Sequence, residues 1–279
     1  MPAPVVPADP PEKAERNANG FGLSTNVSRA RLVVFAPPSD VKATGAGCIA
    51  VPGGGFGRLA DEHEGSEACE WLARQGMTAF LLLHRTPTTT HPEPNAGPVQ
   101  DLHQALLTVR RRAAEWRRDP ARLGVLGFSA GGQVSVIAAT NAPQFPRDAE
   151  NLSHKPDFLL LYPWRIYDAE RRALRADIHP DAGLPPTFLA QMADDTASPP
   201  RGSTLLYLEL VQRKVPAELH LYEKGATASA CGGVRGGQVS DGRRDSRRGG
   251  TAPPAHQRSD RAGPPRLARP WEPRGIAGV

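Results

Sequence analysis

The chain has 279 residues, 39% apolar and 6% aromatic, with 28 Gly, 29 Pro and a formal charge of +5. That length holds one large domain or two small ones, and the low apolar share beside so much Pro leaves part of the chain without a core. The charge sits in residues 225–279, where 10 Arg stand against Asp241, Asp245, Asp260 and Glu272; residues 1–224 carry 24 basic against 25 acidic groups, too balanced for a nucleic-acid-binding body.

No apolar run reaches the roughly 18 residues of a membrane-spanning helix, and the N-terminus lacks the charged-then-apolar order of a secretory signal. The expectation is a soluble protein with no membrane partner, cytoplasmic by default. Cys48, Cys69 and Cys231 are an odd number without metal spacing, which argues against a disulfide framework and for a reducing compartment.

In chain order, residues 1–24 read as a disordered Pro/Ala-rich leader. Strands are expected at Arg31 to Phe35 and Gly47 to Val51, a helix over 60–75 with Ala68, Trp71 and Leu72 on one face, and a strand from Met77 to Leu83. A Thr/Pro-rich loop over 86–98 leads into the clearest helix, where Val99, Leu102, Leu106, Val109, Ala113 and Trp116 recur every three or four residues. Its arginines, Arg110 to Arg112 with Arg117 and Arg118, are assigned to the solvent side. Leu123 to Leu126 (strand), Ser129 to Thr140 (helix), Phe158 to Tyr162 and Thr187 to Gln191 (strands), Ser203 to Val215 (helix) and Ala217 to Tyr222 (strand) follow. Strands alternating with helices predict an α/β domain over 25–224, a mostly parallel sheet with helices on both faces. Residues 225–279, with 11 Gly, 10 Arg, 8 Ala and 6 Pro, read as a disordered tail.

Gly127-Phe128-Ser129-Ala130-Gly131-Gly132 lies between a strand and a helix, the setting required of a Gly-x-Ser-x-Gly nucleophile elbow. A tight strand-to-helix turn lifts the Ser129 hydroxyl above the sheet edge, and the free N–H groups of the helix start face a developing negative oxygen. Pro52-Gly53-Gly54-Gly55-Phe56 follows an earlier strand, where a second oxyanion donor is needed; Gly54 or Gly55 would pair with the N–H of Ala130. Asp194 and Asp195 follow the strand TFLAQ, where the acid of a Ser, Asp, His order belongs.

The stretches VPGGGFGRLADEHEGSEACEWLARQGMTAFLLLHR, DPARLGVLGFSAGGQVSV, PDFLLLYPW and PAELHLYEKG resemble the α/β-hydrolase superfamily. More narrowly they are similar to bacterial acetylxylan and feruloyl esterase-like proteins, relatives of the dienelactone hydrolases and prolyl oligopeptidases. The likeness covers roughly residues 25–224 and implies an α/β-hydrolase fold with Ser129 as nucleophile and Asp195, in its Asp-x-x-x-Pro context, as acid. It implies an ester of a small molecule or polysaccharide, such as acetyl or feruloyl groups on carbohydrate, as substrate, and no metal or organic cofactor. Gln133 stands where relatives often carry His, a change that bears on packing or substrate fit.

The triad also needs a His after the last strand. In the family, a chain such as LYEKG runs into Gly-His-Gly-aromatic-Gly; here Gly225 is followed by ATASACGG, and the only later histidine is His256. Pairing the third base of each codon from Gly225 with the first two of the next permits Gly-His-Gly-Phe-Gly-Leu-Arg. The expectation is therefore a reading-frame slip near Gly225, a truncated or frame-shifted C-terminal part, and a chain impaired as an ester hydrolase. The competing readings are a non-catalytic α/β-hydrolase-like binder and a prolyl oligopeptidase-type peptidase, the latter disfavoured because a leader of 24 residues cannot build a propeller.

Asp61-Glu62-His63-Glu64 with Glu67 approaches a zinc motif but lacks its second His, and is read as a solvated helix face. Tyr162, Pro163 and Trp164 end a strand on the active-site edge, where they either line a sugar or aryl pocket or belong to the core. The oligomeric state is not legible.

Overall fold

The structure, a computed structural model, describes residues 11–18, 20–141, 151–163, 165–180, 183–224 and 276–278. Strand β1 (Lys13–Arg16) and β2 (Gly22–Thr25) form an antiparallel pair. They are followed by β3 (Arg31–Phe35), β4 (Gly47–Val51), helix α1 (Glu67–Arg74), β5 (Thr78–Leu83) and α2 (Ala96–Arg111). Then come β6 (Leu123–Ser129), α3 (Ala130–Thr140), β7 (Leu159–Pro163), the short pair β8 (Tyr167–Asp168) and β9 (Ala173–Leu174), β10 (Thr187–Met192), α4 (Arg201–Gln212), β11 (Ala217–Tyr222) and β12 (Ile276–Gly278).

The main sheet has the order β11-β10-β7-β6-β4-β5-β3-β12. All pairs from β11 to β5 are parallel, and β3 and β12 are antiparallel. The alternating side chains sort into two cores. On one face Leu32, Ile49, Val51, Phe80, Leu82, Val125, Leu161 and Leu189 meet apolar residues of α2, α3 and α4; on the other, Phe35, Cys48, Ala50, Ala79 and Leu81 meet Cys69, Leu72 and Ala73 of α1. The continuous apolar run of β5, buried throughout, is what two-sided cover demands of a parallel strand.

Several expectations change. Residues 13–16 and 22–24, assigned to a disordered leader, pair within β1 and β2 because Asn17 closes the hairpin: its side-chain Oδ1 accepts the Phe21 N–H at 3.0 Å, and Gly20 takes the left-handed φ of +81°. The helix expected over 60–75 begins as a π turn, Glu62–Ser66, and the long helix ends at Arg111, with Ala113–Trp116 forming a 3₁₀ turn. Arg110 and Arg118 are buried rather than solvent-facing. Arg110 reaches the carbonyls of Pro120, Ser153 and Lys155 and pairs with Asp157, while Arg118 donates to the Val109 carbonyl and lies over the Phe80 ring. Of the expected tail, residues 276–278 form β12 and the remainder lies outside the described residues. Cys48 and Cys69 are buried free thiols, whose pKa burial raises, to about 12 for Cys48.

Candidate active site

Ser129 sits at the junction of β6 and α3 with φ +49° and ψ −119°, a strained backbone for a residue with a side chain. The surrounding glycines explain how the bend fits. A Cβ on Gly131 would collide with the Val51 carbonyl oxygen, one on Gly132 would lie 2.7 Å from Pro163 Cα, and one on Gly127 would strike Ser135 and the first turn of α3. The helix thus starts pressed against the ends of β4 and β7, and the half-buried Ser129 is left at the carboxyl edge of the parallel strands.

The glycine loop leaves β4 beside it. Gly54, Gly55 and Phe56 take φ of +130°, +63° and +65°, three successive residues with positive φ, and a Cβ on Gly54 would collide with the Arg58 carbonyl oxygen. A Cβ on Gly53 would lie 2.6 Å from Ser129 Cβ, which places this loop directly against the elbow. Among the described residues neither Gly54 nor Gly55 donates its N–H to another backbone or side-chain group. Ala130 is the first residue of α3, so its N–H belongs to the unpaired set at the helix start.

Asp195 follows β10, which pairs with β7, which in turn pairs with β6. Its side chain is buried, whereas that of Asp194 is exposed. Asp195 Oδ1 accepts the N–H groups of Ala197 and Ser198 at 2.9 and 2.8 Å, and Oδ2 accepts the Tyr162 hydroxyl at 2.7 Å. Gln191, Ser198 and Ser203 link this turn to β10, β7 and α4 through buried hydrogen bonds. Tyr162 is 2% exposed, a core residue whose hydroxyl serves Asp195; Trp164 lies outside the described residues. Among the described histidines, His63 lies against Phe21, His84 at the Arg85 carbonyl, His91 at the Glu93 carbonyl, His103 at the Ala138 carbonyl with His154 against its ring, and His220 against Phe188 and Glu218. The stretch from Gly225 where the base is expected, and His256, lie outside the described residues.

The acids of the near-zinc motif are used structurally. Asp61 accepts the Ser24 hydroxyl, Glu62 accepts the Gly22 N–H and pairs with Arg16, and Glu64 turns inward to accept the Gly53 N–H at 2.7 Å. Among the described residues no group of three or more His, Cys, Asp or Glu is arranged to hold a metal. Burial pushes the Glu64 carboxyl up to about 7, the Gly53 N–H opposing. Its inward turn and the Tyr162 bond escaped the sequence reading, because neither residue stands in a spacing pattern that marks its partner.

The BD-FAE family model matches residues 34–157. The chain is 35% identical over 148 residues to an acetylxylan esterase of Xylanibacter ruminicola, covering 53% of this chain and 28% of that one; it spans less than a third of the length of the curated relatives it matches. Its structure is similar to that of an acetyl ester-xyloside bifunctional hydrolase from Caldicellulosiruptor lactoaceticus, with TM-score 0.58 and 30% identity, covering 71% of this chain and 80% of that one. A thermophilic esterase of Thermogutta terrifontis shares the fold at TM-score 0.57 and 23% identity over 78% of this chain and 83% of its own. The sequence resemblance, the parallel sheet and a 30% identical relative matched over four fifths of its length agree: the chain belongs to the α/β-hydrolase superfamily, among its esterase-type members.

Proposed function

We propose that the chain carries the framework of a serine carboxylic ester hydrolase acting on acyl groups of carbohydrate, with Ser129 as nucleophile, Asp195 as triad acid, and Gly54 or Gly55 with Ala130 as oxyanion donors. The observation that carries it is the strained Ser129 at a strand-to-helix turn with an open glycine loop against its Cβ. In the reaction the Ser129 oxygen attacks the ester carbonyl and its proton passes to a base. The tetrahedral oxyanion is held by the backbone N–H groups, the alcohol leaves, and water releases the acyl group. Carbohydrate as the alcohol follows the relatives, one named for acetylxylan and one for an acetyl ester-xyloside.

Asp195 waits for an imidazole: its Oδ1 is fixed by two backbone N–H groups, and that rigidity suits a residue which orients a base. As its sequence stands the chain lacks the Gly-His-Gly segment that would supply the base, so it hydrolyses esters poorly. That loss is also what favours the second reading, a non-catalytic binder. Turnover of p-nitrophenyl acetate decides between them, measured on this chain, on a form with Gly-His-Gly-Phe-Gly restored from Gly225, and on Ser129→Ala in each. Ser129-dependent activity in the restored form supports the esterase; its absence there supports the binder. Equal Ser129-dependent activity in both forms refutes the missing base.

A further inference from the structure

Gly53 is the hinge between β4 and the bend that carries Gly54 and Gly55, and its two polar groups are both fixed. Its carbonyl accepts the Ala60 N–H at 2.9 Å, and its N–H is held by Glu64. Glu64 is 5% exposed, on the π turn between β4 and α1, a local geometry that inserts an extra residue and turns this side chain inward. The Cβ that Gly53 lacks would lie 2.6 Å from Ser129 Cβ, 2.8 Å from Glu64 Oε2 and 2.9 Å from the Phe128 carbonyl oxygen. Carboxylate, glycine hinge and candidate nucleophile therefore meet at one point.

We propose that Glu64 is a positioning residue for the oxyanion loop: by accepting the Gly53 N–H it sets where the N–H groups of Gly54 and Gly55 point beside Ser129. The inference rests on the esterase reading and deepens it. A carboxylate is an unusual choice for a purely structural acceptor here, because it is buried. Its own turn brings Asp61, Glu62 and His63, with His63 Nε2 3.9 Å from Oε1; burial lowers the His63 pKa, which favours the neutral ring. From β4 and β6 it meets the Gly53 N–H and the vicinity of Ser129. Burial disfavours the charged form of Glu64, but charged or protonated it keeps an oxygen that accepts the Gly53 N–H and ties the hinge in place.

An oxyanion donor acts in the transition state, so its misplacement lowers kcat and leaves KM. The test uses the full chain and the frame-restored form, each with Glu64→Leu, Glu64→Gln and Ser129→Ala, read by p-nitrophenyl acetate kinetics, thermal unfolding and hydrogen exchange at the Gly53 amide. Glu64→Leu is expected to lower Ser129-dependent kcat by roughly 30- to 100-fold with KM within about twofold, and to speed exchange at Gly53. Glu64→Gln, whose amide oxygen accepts the same N–H, is expected to recover kcat to within about fivefold and to restore the exchange protection. A folded Glu64→Leu with unchanged kcat overturns the proposal, as does Glu64→Gln as slow as Glu64→Leu. If Leu proves unfolded, the Gln variant alone decides, a loss beyond tenfold counting against the proposal. Turnover that Ser129→Ala does not reduce in either form overturns the esterase reading first, and this one with it.

Discussion

Strands β4 and β6 bury nearly every side chain, packed by α1 on one side and by α2 and α3 on the other, whereas β10 is fully buried on one face alone and β11 has no buried side chain. Along β10, Thr187, Leu189 and Gln191 are buried while Phe188, Ala190 and Met192 on the opposite face are half-buried. On β11 Glu218, His220 and Tyr222 continue that face into solvent. The candidate nucleophile stands on the doubly covered part and the candidate acid at the margin of the singly covered part. A parallel strand achieves its full stability when helices cover both faces, so the contrast separates a doubly packed part of the sheet from one whose second face is partly exposed among the described residues.

The largest expected effect lies in the segment past β11. Restoring Gly-His-Gly-Phe-Gly from Gly225 should raise Ser129-dependent ester turnover by about 10⁴- to 10⁶-fold, the range by which triads fail when one member is removed. A steady-state assay of both forms checks this, and a gain under tenfold would mean that the missing segment is not what limits turnover.

Core truncations sharpen the contrast in packing. Phe80 on β5 is fully buried, with Trp116 edge-on to its ring and Arg118 above it, so Phe80→Ala should cost about 3 to 5 kcal/mol. Phe188→Ala, on the half-covered face of β10, should cost about 1 kcal/mol. Denaturant unfolding of the two variants measures the difference; equal losses would show that the open face is covered in solution.

The doubly covered half was also the half most legible in the sequence. Continuous apolar runs such as TAFLLL and the three-and-four spacing of α2 announce burial directly, and Gly127 to Gly132 announces the elbow because only glycine fits where α3 meets the Val51 carbonyl. Hidden were features set by tertiary contact. The β1–β2 hairpin rests on one Asn side chain, and the burial of Arg110 rests on carbonyls up to 45 residues away. The inward Glu64 belongs to the same class, since a helical period cannot foresee a π turn.

Glu64 makes the doubly covered half sensitive to pH. The carboxyl's pKa, raised from 4.5 to about 7, means that the folded state holds its proton more tightly than the unfolded chain. Stability therefore falls as pH rises from 4.5 to about 7, and the loss is complete above that. Glu64→Gln removes the ionisation, so it should raise stability at pH 8 by up to roughly 3 kcal/mol and change little near pH 4.5. Thermal melts at the two pH values check it. A gain of the same size at both would trace the effect to packing instead of charge.

The last variant probes the other half, at Asp195. Tyr162 precedes Pro163, the last residue of β7, which pairs in register with Ser129, so its hydroxyl joins the strand beside the elbow to the candidate acid after β10, the next strand. Tyr162→Phe keeps the ring and removes the donor, leaving Asp195 Oδ2 buried without that bond at a cost of about 1 to 3 kcal/mol. Because Oδ1 stays fixed by the Ala197 and Ser198 N–H groups, the carboxyl should keep its place. In the frame-restored form kcat should then fall by less than about tenfold with KM nearly unchanged, as steady-state kinetics would read it. A fall of about a hundredfold or more would mean that Tyr162 holds the Asp195 turn in place, and that the half-open end of the sheet owes its site geometry to this one hydrogen bond.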